Sequence, residues 1–341
     1  MTVRLAVIGA GLMGSDHARI FAEDMPGATL QVLCDASEPR ARALADRVGA
    51  QHVTTDPMAA ISRADVDAVV IASPDSTHAW LSLASIAARK PVLCEKPLSQ
   101  SSAECLGVMM AEQAAGQQFL QLGFMRRFDQ SYTEMKASLQ SGSLGKPLLM
   151  HNFHRNVETP ASDFTADMAI TNSAPHEFDV ARFVLATDYA SITAFQPKPT
   201  RDKVGPVFMV LQTNSGPLVN IEINNNATYG YDVRGELVGE DGAISLNSAA
   251  YTQRDMKLQH VTDYASDWRA RYVEAYRRQN KAFLHFARTG AFSTIAADAW
   301  DGYCATMVAE AGVLALHRGQ KVPVVMVERP DFYNCSETGA A

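Results

Sequence analysis

Five short apolar runs punctuate the first third of the chain, at residues 4–8, 30–34, 68–72, 92–94 and 119–122, with helix-compatible sequence between them. Strands with no polar side, alternating with helices, predict a parallel sheet covered on both faces by its crossover connections. After Gly123 the texture changes. Longer strand candidates follow at 147–153, 190–196, 206–214, 216–223 and 233–239, separated by turn residues, which predicts a mostly antiparallel sheet. One helix is expected among them at 176–185, and two more at 267–289 and 296–317. The expected fold is therefore an α/β doubly wound parallel sheet over residues 1–122, then an α+β domain with a large, mostly antiparallel open sheet over 123–335. Residues 336–341 are expected to form a loose tail.

Composition narrows the function class. A chain of 341 residues suits about two domains. Apolar residues make up 47% and charged residues 20%, which describes a globular protein and excludes a disordered one. The net charge of −7 argues against nucleic acid as a partner, since phosphate-backbone affinity comes from clustered Lys and Arg. Cys34, Cys94, Cys105, Cys304 and Cys335 are scattered and odd in number, so neither a disulfide framework nor a zinc site is expected. With no leader and no apolar stretch of membrane-spanning length, the expectation is a cytoplasmic protein without a membrane partner.

The segment Leu5–Gly14 places Gly9, Gly11 and Gly14 in G-x-G-x-x-G spacing directly after an apolar strand and before a helix. The first glycine permits a tight turn, the second lets backbone approach a pyrophosphate, and the third allows close helix–strand packing. This identifies the parallel sheet as a Rossmann domain. Asp35 ends the second strand, 21 positions after Gly14, where a carboxylate binds the adenosine ribose hydroxyls and repels a 2′-phosphate. NAD is thus favoured over NADP, although Asp35 also suits a helix-capping role. Ser73 and Pro74 follow a buried run at the sheet's carboxyl edge and are expected to line the cofactor, as are Leu12 and Met13 beside the glycines. His78 reads as a helix-start residue near the cofactor rather than a catalyst.

Residues 91–99 hold Glu95-Lys96-Pro97 at the end of a strand. Proline directs the Lys96 backbone away from helix and fixes it at the sheet's carboxyl edge. An ammonium there can hydrogen-bond a hydroxyl under oxidation and stabilise the developing alkoxide. The plain alternative is an ordinary surface pair of Glu95 and Lys96. His176 opens an amphipathic helix and reads equally well as a buried structural histidine. His151 and His154 lie three apart on a strand and project to opposite faces, so no shared metal ion is expected.

Taken together, Gly9–Gly14, Glu95-Lys96-Pro97 and His176 resemble the Gfo/Idh/MocA family of nicotinamide oxidoreductases. Supporting segments include Gly123–Asp129, His154-Arg155-Asn156, His176–Asp179 and Tyr229–Asp232. Within the family the resemblance is to the branch that oxidises inositol. It implies NAD as cofactor, a secondary hydroxyl of a cyclic polyol as substrate, and a homotetramer supported by the open sheet. It further implies that Lys96 and His176 activate the hydroxyl, His176 taking its proton. Glu95, Arg126 and Trp268 are implied near the cofactor, and Arg126, Asn156 and Tyr231 toward substrate hydroxyls. One position departs from the pattern. That branch carries an aspartate four residues before the histidine, and this chain has Asn172, an amide that can orient a hydroxyl but holds no charge. The natural substrate then differs, or Asp163 or Asp167 substitutes, or the chain is a disabled variant. A dehydrogenase of an aldose or anhydrosugar is the alternative within the same chemistry, and an NAD-binding regulator without turnover the alternative outside it.

Overall fold

The computed structural model describes residues 2–157, 163–198, 203–246 and 253–334. The chain forms two compact units. The first is built on six strands, β1 (Val3–Ile8), β2 (Ala28–Cys34), β3 (His52–Thr54), β4 (Ala68–Ile71), β5 (Val92–Cys94) and β6 (Leu120–Leu122), in the order β3-β2-β1-β4-β5-β6. Every adjacent pair is parallel. Helices α1 (Leu12–Arg19), α2 (Glu38–Val48), α3 (Pro57–Ser62), α4 (His78–Ala87) and α5 (Ser102–Ala115) make the connections. β4, β5 and β6 are buried at every position, as strands with helices on both faces must be. Strand order reverses between β1 and β4, which opens a crevice at the carboxyl ends of those two strands.

The second unit contains α6 (Gln130–Gln140), β7 (Pro147–Arg155), α7 (Ala166–Met168), α8 (Pro175–Leu185), β8 (Tyr189–Phe195), β9 (Val207–Thr213), β10 (Leu218–Asn224), β11 (Asp232–Gly239) and β12 (Ala243–Ser245). A separate hairpin joins β13 (Gln253–Met256) to β14 (Gln259–Thr262). The main sheet has the order β12-β11-β7-β10-β9-β8-β15, closed at one edge by β15 (Val322–Pro323). It is antiparallel except for β10 beside β7. In β7, Met150, Asn152 and His154 are buried while their neighbours are partly exposed, the period-two signature of a sheet with one covered face. α8, buried at every position, packs against β7 and α6.

The expected domain division, 1–122 and 123–335, has the chain leave the first domain once. In the structure the first unit runs to Phe128 and takes back Glu274–Thr306 and the segment from Val327. These carry most of α9 (Arg269–Thr289) and the start of α10 (Ala299–Arg318). Phe283 meets Phe21 edge to face at 6.4 Å, Arg277 donates to Asp24 at 2.8 Å, and the Leu122 amide donates to the Ala297 carbonyl at 2.8 Å. Tyr333 donates its hydroxyl to the buried Glu112 carboxylate at 2.8 Å. The expected tail, 336–341, lies outside the described residues, as does Cys335. Cys34, Cys94, Cys105 and Cys304 are free and buried. Among the described residues no helix is long and apolar enough to cross a membrane.

Candidate active site

The glycine loop fits a dinucleotide for reasons visible at each glycine. A Cβ on Gly9, whose φ is +99°, would stand 2.4 Å from the Ala72 carbonyl oxygen, and one on Gly14 would stand 1.8 Å from the Gly9 oxygen. Both positions therefore exclude any side chain. Gly11 has open space above it, so the start of α1 can be approached closely by a pyrophosphate. Leu12 beside it is exposed and Met13 half-buried. Asp35 is tied to this loop by more than its place in the strand. Its carboxylate accepts the Ala10 amide at 2.7 Å and the Ser37 amide at 2.8 Å, and the Arg40 guanidinium lies 3.6 Å away. The N-cap of α2 is Ser37, whose amide Asp35 accepts, so Asp35 braces the start of that helix without capping it, and a carboxylate's roughly four acceptor sites leave room for further donors.

At the end of β4, the Ser73 and Thr77 hydroxyls are 2.5 Å apart, and His78 is 1% exposed. The His78 ring reaches two backbone carbonyls, with Nδ1 donating to Pro97 at 2.7 Å and Nε2 to Ser73 at 2.9 Å. Two acceptors require two N–H donors, which describes an imidazolium. Burial works against that charge, but Cys94, the Pro97 carbonyl and Asp75 outweigh it and raise the pKa to about 10. His78 thus joins the β4–α4 loop to the Lys96-Pro97 peptide, which is cis.

Lys96 is half-buried and Glu95 is buried. Burial pushes the Lys96 ammonium below its usual range, Asp75 and Glu95 pull it back up, and the buried Arg126 pushes it down again. A lysine so placed holds its proton less tightly than a surface one and is a better hydrogen-bond donor to a developing oxyanion. Behind it, Glu95 accepts from His17 Nε2 at 2.9 Å, and His17 Nδ1 meets the Asn280 amide oxygen at 3.0 Å. His17, on α1, and Asn280, on α9, are both fully buried.

In the second unit a π-helical turn, Ala169–Ser173, leads directly into α8 and carries Asn172 and Ser173. Such turns are rare and recur at functional sites. His176 follows in the first turn of α8, 8% exposed. The His154 ring, at the end of β7, lies 6.3 Å from the rings of both His176 and Tyr231, and its Nδ1 is 3.1 Å from the buried Glu177 carboxylate. Asn156 donates to Asn225 at 2.9 Å, and Asn225 donates to Ser173 at 3.1 Å. The result is one cluster of imidazoles, amides and hydroxyls at the carboxyl end of β7. His151 is on the other face of the strand and pairs with Asn220. Asp167 accepts from His317 at 2.8 Å, and Asp163 is exposed.

Residues 3–124 match the description "Oxidoreductase family, NAD-binding Rossmann fold", and residues 132–245 match the "GFO/IDH/MocA C-terminal domain". The chain belongs to the Gfo/Idh/MocA oxidoreductase family. Its first unit is the NAD-binding Rossmann domain of that family, and the protein is an NAD-dependent oxidoreductase. It is 42% identical to inositol 2-dehydrogenase 1 of Saccharopolyspora erythraea, with 98% of this chain and 99% of that one covered. The inositol 2-dehydrogenase of Burkholderia cenocepacia is 36% identical, with 98% of this chain and 99% of that one covered. Among solved structures, the myo-inositol dehydrogenase of Lactobacillus casei in complex with NAD(H) and myo-inositol is 27% identical. It covers 98% of this chain and all of that chain with a TM-score of 0.93.

The Gfo/Idh/MocA residues expected from sequence therefore fall into two groups. Gly9, Gly11, Leu12, Met13, Asp35, Ser73, Pro74, His78, Glu95, Lys96 and Arg126 belong to the first unit. Asn156, Asn172, His176, Tyr231 and Trp268 belong to the second, and Trp268 stands immediately before α9. Sequence reasoning missed His17, Asn280, Asn225 and the pairing of His154 with Glu177. His17 had a signal: it follows Gly14 by three positions, which puts it on the helix face that packs on the sheet.

Proposed function

We propose that this protein oxidises a secondary hydroxyl of a cyclic polyol, with inositol oxidised at the 2-position as the reference reaction. The observation that carries the reading is the likeness, at 42% and 36% identity over 98% of the chain, to proteins named for that reaction. NAD, when bound, supplies the hydride acceptor. Lys96 donates a hydrogen bond to the reacting oxygen and stabilises its growing negative charge; burial of the ammonium favours this. His176 takes the hydroxyl proton as general base. The alcohol thus loses one hydride and one proton and becomes a ketone. Asn172 orients a hydroxyl through its amide, and Arg126, Asn156 and Tyr231 hold the remaining ones, since a polyol needs matched donors and acceptors at each oxygen. Trp268 packs near the cofactor. The working form is a cytoplasmic homotetramer assembled through the open sheet.

The test is absorbance of reduced NAD with a panel of inositol stereoisomers, aldoses and anhydrosugars. The strongest turnover should come from an inositol. Turnover confined to an aldose or anhydrosugar would favour the alternative that Asn172 raises, and tight NAD binding without turnover on any member would favour a regulator. Lys96→Ala and His176→Ala should each lower kcat by about 10²–10⁴-fold while NAD affinity changes little. Normal turnover in either variant removes that residue from the chemistry.

A further inference from the structure

Lys96 sits in a three-residue segment whose other two members are each gripped by a buried histidine. On one side, the Glu95 carboxylate accepts from His17 Nε2 at 2.9 Å. On the other, the Pro97 carbonyl accepts from His78 Nδ1 at 2.7 Å. The two histidines come from different helices, α1 and α4, and are 0% and 1% exposed. Each is fixed again at its far side, His17 by the Asn280 amide at 3.0 Å and His78 by the Ser73 carbonyl at 2.9 Å. The Tyr276 ring meets the His17 ring edge-on at 5.8 Å. The Gly123 backbone runs so close to Glu95 that an added Cβ would come within 3.1 Å of the Glu95 Oε1 and Cα.

An imidazole is a costly choice for a purely structural contact in a parallel-sheet core, because buried polar rings must find partners for both nitrogens. Here both rings find them, and in each case one of the two partners is a neighbour of Lys96. We propose that His17 and His78 are positioning residues for Lys96, holding Glu95 and Pro97 so that the ammonium keeps one place and one electrostatic setting. The proposal rests on the assignment of Lys96 to hydroxyl activation. The charges that face Lys96 are Asp75, Glu95 and Arg126, and His78 lies beside Asp75 and Pro97. Loss of either clamp frees one of these groups to move, and displacement of a catalytic group by about 1 Å can cost about 10²-fold in rate.

The experiment compares His17→Leu, His17→Gln, His78→Leu, His78→Gln, His78→Asn, Asn280→Ala and Lys96→Ala in the whole 341-residue chain. It measures kcat and KM for the best polyol, the pH profile of kcat, NAD affinity by fluorescence titration, and Tm. Gln keeps a donor near the position of the imidazole Nε2, which faces Glu95 at position 17 but Ser73 at position 78; His78→Asn keeps one near Nδ1, which faces Pro97, while Leu keeps only bulk. Expected are a kcat loss of about ten- to a hundredfold in the Leu variants and in His78→Gln, a shifted midpoint in their pH profiles, and partial recovery of both in His17→Gln and His78→Asn. A role confined to stability would lower Tm without moving the pH midpoint. Folded Leu variants with the parent kcat and pH midpoint overturn the proposal. If the Leu variants do not fold, His78→Gln, which loses the Pro97 contact, and Asn280→Ala, which loses the far anchor of His17, carry the same readouts, and parent values in both overturn it equally. Parent activity in Lys96→Ala is a different result, which removes the reading on which the proposal stands.

Discussion

At the scale of single residues, the charge of Asp35 and its absence at Asn172 each lead to a prediction about what this enzyme accepts. Asp35 already has the Ala10 and Ser37 amides as partners, with Arg40 3.6 Å away. With the adenosine ribose at Asp35, as the sequence leads one to expect, a 2′-phosphate would be repelled by that carboxylate. Asp35→Ser should therefore weaken NAD by about 1.5–3 kcal/mol, the range for a hydrogen bond to a charged group, and let Arg40 accept the phosphate of NADP. The ratio of kcat/KM for the two cofactors reads this directly, and an unchanged ratio removes Asp35 from the ribose site. Asn172 is the second position. Thr171 donates its hydroxyl to the Asn172 side-chain oxygen at 2.8 Å, so the acceptor side of the amide is already engaged. A carboxylate would accept from Thr171 and still carry charge for a nearby imidazolium. Asn172→Asp should raise turnover of inositol relative to the other polyols by about tenfold or more, while equal gains across the panel would assign Asn172 no part in selectivity.

Among the elements, those with strong local patterning were readable and those that depend on distant partners were not. β1, β2, β4, β5 and β6 announced themselves as apolar runs, and G-x-G-x-x-G located the turn into α1. β3, three residues with no buried position, has no periodicity to read. β13 carries no buried residue either, and two-residue β15 exists only because Val322 and Pro323 pair with β8. The return of most of α9 and the start of α10 to the first unit was hidden for a related reason: their partners lie more than a hundred positions earlier. The site followed the same rule. Lys96, Asp35 and the glycines are local motifs, whereas the His17–Glu95 bond joins residues 78 positions apart. α10 also carries an electrostatic feature with a measurable consequence. Asp298 precedes it, accepting the Asp301 amide at 3.0 Å, while Asp301 pairs with Arg127 at 2.8 Å. Burial, then the Asp301 charge, raises the Asp298 pKa to about 8, against the pull of the Asp301 amide and Arg127; Glu112 adds to the rise. A carboxyl with a raised folded-state pKa favours folding fully only below its unfolded value near ~4, and loses that contribution as pH rises toward 8. Asp298→Asn keeps an acceptor for the Asp301 amide and cannot ionise. Relative to the parent, its Tm should gain on the order of a few °C between pH 5 and pH 8. Parallel Tm curves for the two proteins would refute the assignment.

For the whole molecule, the seven-stranded sheet poses a physical question that assembly would answer. One face is covered by α8 and neighbouring helices, and it carries Asn152 and His154. The opposite face shows large apolar side chains to solvent: Phe195 is 52% exposed, Phe208 39% and Leu218 37%. Phe195 and Phe208 are direct cross-strand partners, and Phe208 stands opposite Glu222, which Arg155 pairs at 2.7 Å. Exposed apolar side chains beside a paired charge suit an association surface. A stable dimer buries about 800 Å² per partner. Light scattering at micromolar concentration should give four times the 37.0 kDa chain mass. Phe208→Lys would place an ammonium among those rings, where it finds no partner and resists desolvation, so the mass should fall toward smaller species. The substitution lies on the sheet face away from His154 and outside the Rossmann unit, so NAD binding should persist in the smaller species. A parent protein already at the mass of one chain would show that the sheet stays open to water, and its exposed rings would then need another explanation.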